Sequence, residues 1–153
     1  MAGYVQEIYT APSGGAAMVP SHEVEAVADV GLRGDRYAER TGYWSGIDEC
    51  HVTLIEGEVI DRINAETDVE IGHGEHRRNI ITRGVRLLDL AGKRFSVGEA
   101  ILEFDRPRPP CRYIEQLTQP GMMAALGGGR GGICASVVGS GVIRVNDPIE
   151  VIG

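Results

Sequence analysis

The chain has 153 residues, of which 42% are hydrophobic and 24% charged, a composition typical of a globular domain that argues against a disordered or fibrous protein. The formal net charge of −7 argues against nucleic-acid binding, which requires a net basic face. Three widely spaced cysteines do not suggest a disulfide framework, and no stretch has the length of a membrane span or the pattern of a secretory leader, so we expect one cytoplasmic domain over residues 1–153, away from membranes.

The first third of the chain is predicted to form strands separated by turns. Apolar and polar residues alternate over residues 4–10, which predicts an edge or barrel strand, and a turn containing proline and glycine follows at 11–15. The alternation resumes over residues 17–32 and predicts strand material that is interrupted at Pro20. A polar loop with several glycines follows over residues 31–46.

The middle of the chain contains a strand, a helix and a hairpin. Residues 51–55 form a β-rich run, and residues 56–65 predict a short amphipathic helix with acids early and Arg62 late. Two further strands, 95–97 and 100–104, predict a hairpin, because a glycine-containing pair of residues separates them.

The last third of the chain returns to short strands. One or two short helices are predicted over residues 113–126, split at Pro120, and strands are predicted over 133–138, 142–145 and 149–152. Many short strands without alternating strand–helix units argue against a doubly wound sheet. We therefore predict a mainly β (α+β) fold, a closed or nearly closed β-barrel with a few short helices.

Cys111 is the candidate reactive residue. Two prolines fix the backbone ahead of it, and Arg106, Arg108 and Arg112 are its neighbours in sequence. Nearby positive charge favours the thiolate, which is the reactive and metal-binding form of cysteine. We therefore expect the pKa of Cys111 to lie below the free value of about 8.5. The alternative is a small apolar residue at a strand end, with the arginines facing water.

The other cysteines and the histidines give weaker signals. Cys134 lies in an apolar run and is predicted to pack as a small hydrophobic residue. Cys50 and His51 adjoin each other, so on a strand they would point to opposite faces and are not expected to bind one metal together. His73 and His76 lack further ligands at the spacings of a zinc site, which favours a solvated loop.

An anion pocket is the second candidate site. If the fold brings Arg78, Arg83 and Arg130 together near Cys111, they would form this pocket, because guanidinium groups bind phosphate and carboxylate. The alternative is that nearby acids neutralise each arginine. The glycine-rich run 127–132 around Arg130 lacks the Gly-Lys-Ser/Thr ending of a phosphate loop and precedes a β-rich run, so it is interpreted as a mobile rim or as a lid over a ligand.

A set of short motifs, taken in chain order, resembles the MOSC family, the domain found at the C-terminus of molybdenum-cofactor sulfurases and also as free-standing short proteins. The matching pieces are Gly31-Leu32-x-Gly34-Asp35-Arg36, Val52-Thr53-Leu54-Ile55, Arg78-Asn79-Ile80, Arg83-Gly84, Phe95-x-Val97-Gly98-Glu99, Pro110-Cys111, Arg130-Gly131-Gly132 and Gly141-x-Ile143-Arg144-x-Asn146-Asp147. No single piece is distinctive, but the ordered set is. The chain departs from the family pattern at Asn146, where Gly is frequent, and in the Arg-Pro-Arg-Pro-Pro stretch before Cys111, where an acid is frequent.

The resemblance implies a β-barrel-like fold, a reactive cysteine at Cys111 and a cofactor pocket. The residues that it places at the pocket are Arg78, Asn79, Arg83, Arg130, Gly131 and Gly132. The implied cofactor is the molybdenum cofactor (molybdopterin), with Cys111 as a metal ligand if molybdenum is bound. The pyridoxal-phosphate desulfurase domain that accompanies this module in cofactor sulfurases does not fit in 153 residues, so pyridoxal phosphate would belong to a separate sulfur-donating partner.

Two functions follow from the resemblance. The first is a sulfur carrier or transferase, in which a persulfide on Cys111 serves molybdenum-cofactor or metal–sulfur chemistry and a partner such as a cysteine desulfurase supplies the sulfur. The second is a molybdenum-dependent reductase of N-hydroxylated compounds. A cysteine-based small-molecule lyase and a non-catalytic binding module are further alternatives. The arginines favour a small anionic ligand or cofactor in each case.

Overall fold

A computed structural model of the chain describes residues 3–39, 50–72, 74–108 and 112–152, without the side chains of Arg112, Tyr113 and Glu115. The strands in these residues are β1 (Gly3–Thr10), β2 (Val19–Ser21), β3 (Glu23–Val27), β4 (Gly31–Leu32), β5 (Val52–Glu56), β6 (Ile80–Arg83), β7 (Arg94–Val97), β8 (Ala100–Pro107), β9 (Ile133–Gly139), β10 (Gly141–Arg144) and β11 (Pro148–Ile152). The helices are α1 (Gly57–Glu66), α2 (Arg112–Leu117) and α3 (Met122–Ala125), together with a 3-10 helix at Leu87–Leu90.

Seven of the described strands close into a barrel. Their order is β11–β7–β8–β9–β5–β6–β1, and β1 pairs back onto β11 through Gly3 and Ile149. The neighbouring strands are antiparallel except for β5 and β6, which are parallel and joined through α1, because parallel neighbours need a crossover connection. β2 extends the sheet beyond β1, and β10, β3 and β4 form a second, three-stranded sheet. The predicted mainly β, barrel-like fold is confirmed.

Two apolar cores lie on opposite faces of the same strands. Leu54 and Ile80 belong to the core enclosed by the barrel, whereas Ile55 and Ile81 belong to the core between the barrel wall and the helices. Successive side chains of a strand point to opposite faces, which explains this division. β5 is therefore buried on both sides, and its run of apolar residues shows no alternation.

The helices cover the outer core. The amphipathic helix predicted over residues 56–65 is α1, which buries Val59 and Ile63, and the pair predicted over residues 113–126 is α2 and α3. α1 is ten residues long, and no helix in the described part of the chain is long and apolar enough to cross a membrane.

The predicted interruption at Pro20 is wrong. Pro20 lies inside β2 and pairs with Tyr9, and the chain leaves the strand at His22. In the described residues β2 lies at the outer end of its sheet, where a residue without an N–H group costs no hydrogen bond to a further strand. The predicted hairpin around Gly98 is confirmed as β7 and β8.

Candidate functional site

Arg78 is a buried cation in the segment that leads into β6. Only 4% of its surface is exposed. Its Nε donates a hydrogen bond to the carbonyl oxygen of Gly131 at 2.7 Å, and its Nη1 donates to that of His76 at 3.3 Å. Its Nη2 is also buried and has no hydrogen-bond partner. Burial lowers the pKa of Arg78 to about 10, so the group stays charged at neutral pH. A buried cation with an unused donor is suited to an anionic ligand.

Gly131 and Gly132 allow close backbone approaches, of which only that of Gly131 involves Arg78. A Cβ atom on Gly131 would lie 2.3 Å from the carbonyl oxygen of Arg108 and 3.4 Å from Nη2 of Arg78. Gly132 has a φ of +87°, and a Cβ there would lie 1.9 Å from the carbonyl oxygen of Leu54. The structure therefore brings Arg78 and Gly131 together, whereas Gly132 serves the close packing of its segment against β5.

Strands β8 and β9 bring two further arginines to Cys134. A register irregularity in β8 places Arg106 opposite Cys134, and Nη1 of Arg108 lies 3.9 Å from the Cys134 sulfur. The neighbouring Cys50 thiol, whose Sγ donates to the carbonyl oxygen of Val52 at 3.3 Å, is the largest cause of the lowered pKa of Cys134, and the positive charge of Arg108 and Arg106 lowers it further. Burial raises the pKa of Cys50 well above its ordinary value.

Cys134 therefore differs from its sequence-based interpretation. It is fully buried, as predicted for a small hydrophobic residue, but its sulfur faces a guanidinium group and a second thiol. The cause lies in the β8–β9 pairing. Sequence neighbours of Cys111 are the spatial neighbours of Cys134, and only the register of the two strands reveals this.

Cys111, the predicted catalytic thiol and metal ligand, lies outside the described residues, as do Pro109 and Pro110. The description ends at Arg108 and resumes with the backbone of Arg112. The proximity of the arginines to Cys111 therefore stays a prediction.

The other two arginines predicted for the pocket, Arg83 and Arg130, contact different residues from those that Arg78 contacts. Arg83 donates from Nε to Gln6 at 2.6 Å and forms an ion pair with Asp61 at 2.6 Å. Arg130 donates to the carbonyl oxygens of Gly127 and Ala124 at the end of α3. The three guanidinium groups expected to share one anion pocket thus have different partners: a carboxylate neutralises Arg83, while Arg130 turns toward the helix end.

Asn79 is buried, and both polar atoms of its side-chain amide form hydrogen bonds within the barrel. Its Oδ1 accepts hydrogen bonds from the Thr53 backbone N–H at 3.0 Å and from the Thr53 hydroxyl at 3.1 Å, and its Nδ2 donates to the carbonyl oxygen of Tyr9 at 3.1 Å. These contacts tie β6 to β5 and β1. Both polar atoms of the Asn79 amide thus have partners inside the barrel, and its predicted role in cofactor binding stays a prediction.

The solvated loop predicted around His73 and His76 is wrong for His76. His76 is 1% exposed and lies in a T-shaped contact with Tyr9, and its Nδ1 accepts the backbone N–H of Arg78 at 2.9 Å. Burial is the main reason that the pKa of His76 falls to about 3, so the ring is neutral at neutral pH. His76 thus fixes the backbone of Arg78. His73 lies outside the described residues.

A buried ion pair in the Gly34-Asp35-Arg36 motif also supports the site. Nη1 of Arg36 donates to Oδ1 of Asp35 at 3.0 Å, and the same oxygen accepts the backbone N–H of Ala11 at 3.0 Å. Nη2 of Arg36 donates to the carbonyl oxygen of Arg77 at 3.0 Å, one residue before Arg78. In the sequence, this motif is marked only by the family resemblance, and its position in a polar loop gives no sign of burial.

The described residues contain no group of three or more His, Cys, Asp or Glu side chains that could hold a metal ion. The charged side chains around Cys134 are instead arginines. Arg78, Arg106 and Arg108 all act on its thiol, and Gly131 packs against Arg78.

Comparisons with known proteins relate the whole chain to one fold. The family model of the MOSC domain matches residues 41–150. The crystal structure of YuaD from Bacillus subtilis is 18% identical with a TM-score of 0.79, over 99% of this chain and 96% of that one. YiiM from Geobacillus stearothermophilus is 19% identical with a TM-score of 0.73, over 99% and 75% of the two chains. YiiM from Escherichia coli is also 19% identical with a TM-score of 0.70, over 100% and 70%. No curated protein matches the chain. The solved structures establish the fold alone.

Proposed function

The chain belongs to the MOSC domain family, and on this premise we propose that it is a sulfur carrier that holds a persulfide on Cys111 for molybdenum-cofactor or metal–sulfur chemistry. The family is generally linked to sulfur chemistry related to the molybdenum cofactor. The observation that carries the proposal is the cationic surrounding of a thiol. The Cys50 thiol is the largest cause of the lowered pKa of Cys134, and the positive charge of Arg108, just after β8, and of Arg106, at the end of β8, lowers that pKa further. The same positive charge would favour a thiolate on Cys111.

The transfer step conserves electrons and atoms. The Cys111 thiolate attacks the outer sulfur of a persulfide on the donor protein, a new S–S bond forms to Cys111, and the donor S–S bond breaks. The donor cysteine leaves as a thiolate with the bonding electron pair, so no external oxidant or reductant is needed. A cysteine desulfurase, with its own pyridoxal phosphate, is the proposed donor.

The residues around Arg78 fit an oxyanion-bearing cofactor. The buried, unpartnered Nη2 of Arg78 supplies a charge-assisted donor, and the approach of Gly131 keeps side chains away from it. MOSC domains are associated with the molybdenum cofactor, which would bring redox chemistry at its metal. Arg78 would then hold an anionic part of the cofactor, and Cys111 would be the thiolate available to the metal.

Sulfur loading in variants of single cysteines tests the proposal. The purified chain is incubated with a cysteine desulfurase and cysteine, and intact-mass measurement detects the addition of one sulfur atom. We expect Cys111→Ser to abolish loading, and Cys50→Ser and Cys134→Ser to retain it. Loading that survives Cys111→Ser but is lost in Cys134→Ser would overturn the assignment, because it would identify the buried thiol beside Arg108 as the carrier.

Metal analysis separates the carrier from the reductase. Protein purified from a host that makes the molybdenum cofactor is expected to contain less than stoichiometric molybdenum and pterin, and to carry a persulfide. Stoichiometric molybdenum and pterin, lost in Arg78→Gln, would instead support the cofactor-binding reductase and contradict the carrier.

A further inference from the structure

A groove away from the contacts of Arg78 gathers three arginines. It lies where the start of α1, the segment after β6 and the glycine-rich run 127–132 meet, and it encloses about 590 Å³. Its cationic residues are Arg62, Arg86 and Arg130, and we call the cavity the arginine groove. The residues that line it are Glu56, Glu58, Val59, Arg62, Gly84, Val85, Arg86, Leu88, Gly128, Gly129 and Arg130.

The guanidinium groups of the arginine groove are not neutralised by carboxylates among the described residues. Neither Arg62 nor Arg86 forms an ion pair there, and Arg130 donates only to two backbone carbonyl oxygens. The two carbonyl contacts hold the Arg130 side chain in place. Its charge is thereby positioned on the groove without being cancelled.

The two acids of the groove are engaged elsewhere. Oε2 of Glu58 accepts the backbone N–H of Gly84 at 2.8 Å, and Oε2 of Glu56 accepts that of Leu87 at 3.2 Å. Glu58 precedes Arg62 by four residues on α1, a spacing that permits a helical ion pair, yet its Oε1 is buried without a partner. Three arginines and two glutamates leave the groove with a net charge of +1 in a chain of net charge −7.

The walls of the groove favour a ligand with an apolar part. Leu88 is 46% exposed, and its side chain is the neighbour that a Cβ atom on Gly129 would meet, at 3.7 Å. A Cβ on Gly128 would have no atom within 4 Å. Both glycines have positive φ, at +67° and +83°, a backbone conformation that glycine adopts without strain.

We propose that the arginine groove binds a small organic phosphate, with the phosphate on the guanidinium groups and an apolar or ring-shaped body against Leu88. Guanidinium groups make charge-assisted hydrogen bonds to phosphate oxygens, and the volume of the groove lies within the range of small-molecule sites. This site is additional to the sulfur chemistry proposed for Cys111 and does not depend on it.

Calorimetric titration of the full chain at low salt tests the groove, with adenosine monophosphate, adenosine and inorganic phosphate as probes. We expect the nucleotide to bind saturably, inorganic phosphate more weakly, and adenosine not measurably. Loss of one charged hydrogen-bond donor in Arg62→Gln or Arg86→Gln should raise the Kd for the nucleotide about tenfold. Arg33→Gln and Arg94→Gln are matched controls, since these exposed arginines pair with Glu25 and Glu103 elsewhere on the surface.

Each remaining outcome decides against the proposal. An absence of saturable nucleotide binding, or an equal loss in the Arg33→Gln and Arg94→Gln controls, would overturn the groove as a binding site. Inorganic phosphate binding as tightly as the nucleotide would overturn the organic ligand. Cys111→Ser should bind the nucleotide unchanged, so failure of sulfur loading and failure of the groove are distinguishable.

Discussion

Arg78 and Asn79 are adjacent in the chain but differ in how their polar groups are satisfied. The Asn79 amide makes all its contacts with Thr53 and Tyr9, so its side chain joins strands of the barrel. Arg78 contacts two carbonyl oxygens and keeps Nη2 without a partner. Asn79 therefore stabilises the barrel wall, whereas Arg78 keeps one donor with which it can bind an anionic ligand.

We expect Asn79→Ala to lower the free energy of unfolding by about 3 kcal/mol, because it leaves a buried N–H and a buried carbonyl without partners. Urea denaturation of the purified variant measures the loss. Asn64→Ala is the control: Asn64 is exposed and bonds only to Ile71, so its removal should cost about 1 kcal/mol. Equal losses in the two variants would contradict the role given to Asn79.

The coupled thiols give a prediction for pH. In a Cys111→Ser background, the ultraviolet absorbance of thiolate should show Cys134 ionising at about 7. Cys50→Ala should raise that pKa, because the Cys50 thiol is the largest cause of its lowering. The pKa of Cys134 is lower in the folded state than the unfolded value of about 8.5. Its thiolate thus contributes stability that is complete above about pH 8.5 and lost as the pH falls through about 7.

The Cys111→Ser protein should therefore have a higher free energy of unfolding than the Cys111→Ser, Cys134→Ser double variant. This difference should grow by at most about 2 kcal/mol as the pH rises from about 7 to about 8.5. A midpoint for Cys134 at or above the ordinary thiol value would show that Arg106 and Arg108 do not act on it as placed.

At the scale of elements, the glycine-rich run 127–132 contains glycines with different roles. Gly132 has a positive φ and faces the Leu54 carbonyl oxygen, whereas Gly128 has a positive φ but open space beside it. One glycine lets β9 begin against β5, and the other contributes to the arginine groove.

We expect Gly132→Ala to lower the free energy of unfolding by more than about 3 kcal/mol, because a steric clash with backbone adds to the strain of a positive φ. Gly128→Ala carries only the strain and should lose about 1 to 2 kcal/mol. Urea denaturation of both variants is the measurement. A Gly128→Ala loss as large as that of Gly132→Ala would mean that the close approach to Leu54 is not the cause.

The elements that could be predicted from sequence are those with a local signal. Alternation and turn residues located β1, β7 and β8, and amphipathic spacing located α1. The interruption between β2 and β3 was misplaced because edge position, not the proline itself, decides whether Pro20 is tolerated. The environment of Cys134 could not be predicted, since it depends on the register between β8 and β9.

At the scale of the whole molecule, the barrel depends on contacts between its ends. β1 pairs with β11, almost the full length of the chain away, and β5 pairs in parallel with β6 across α1. Neither pairing has a local sequence signal. Individual strands could therefore be predicted from the sequence, but the order in which they pair around the barrel could not. The family resemblance supplied the barrel, but the residue register came only from the structure.

Ile149 lies at the closure of the barrel, and we expect Ile149→Ala to lower the stability of the whole molecule. It is 2% exposed, belongs to the enclosed core, and pairs with Gly3 of β1 and Val97 of β7. Deleting most of a buried isoleucine side chain costs about 2 to 5 kcal/mol. Because a closed barrel has no free strand edge, the loss of stability should appear throughout, as faster hydrogen exchange of the slowest amides in β5 as well as in β1 and β11.

Ile152→Ala in the same strand is the control for Ile149→Ala, since Ile152 is 44% exposed and its truncation should cost less than about 1 kcal/mol. Faster exchange confined to β1, β7 and β11, with β5 unchanged, would show that the closing strands open separately and that the barrel is not one cooperative unit.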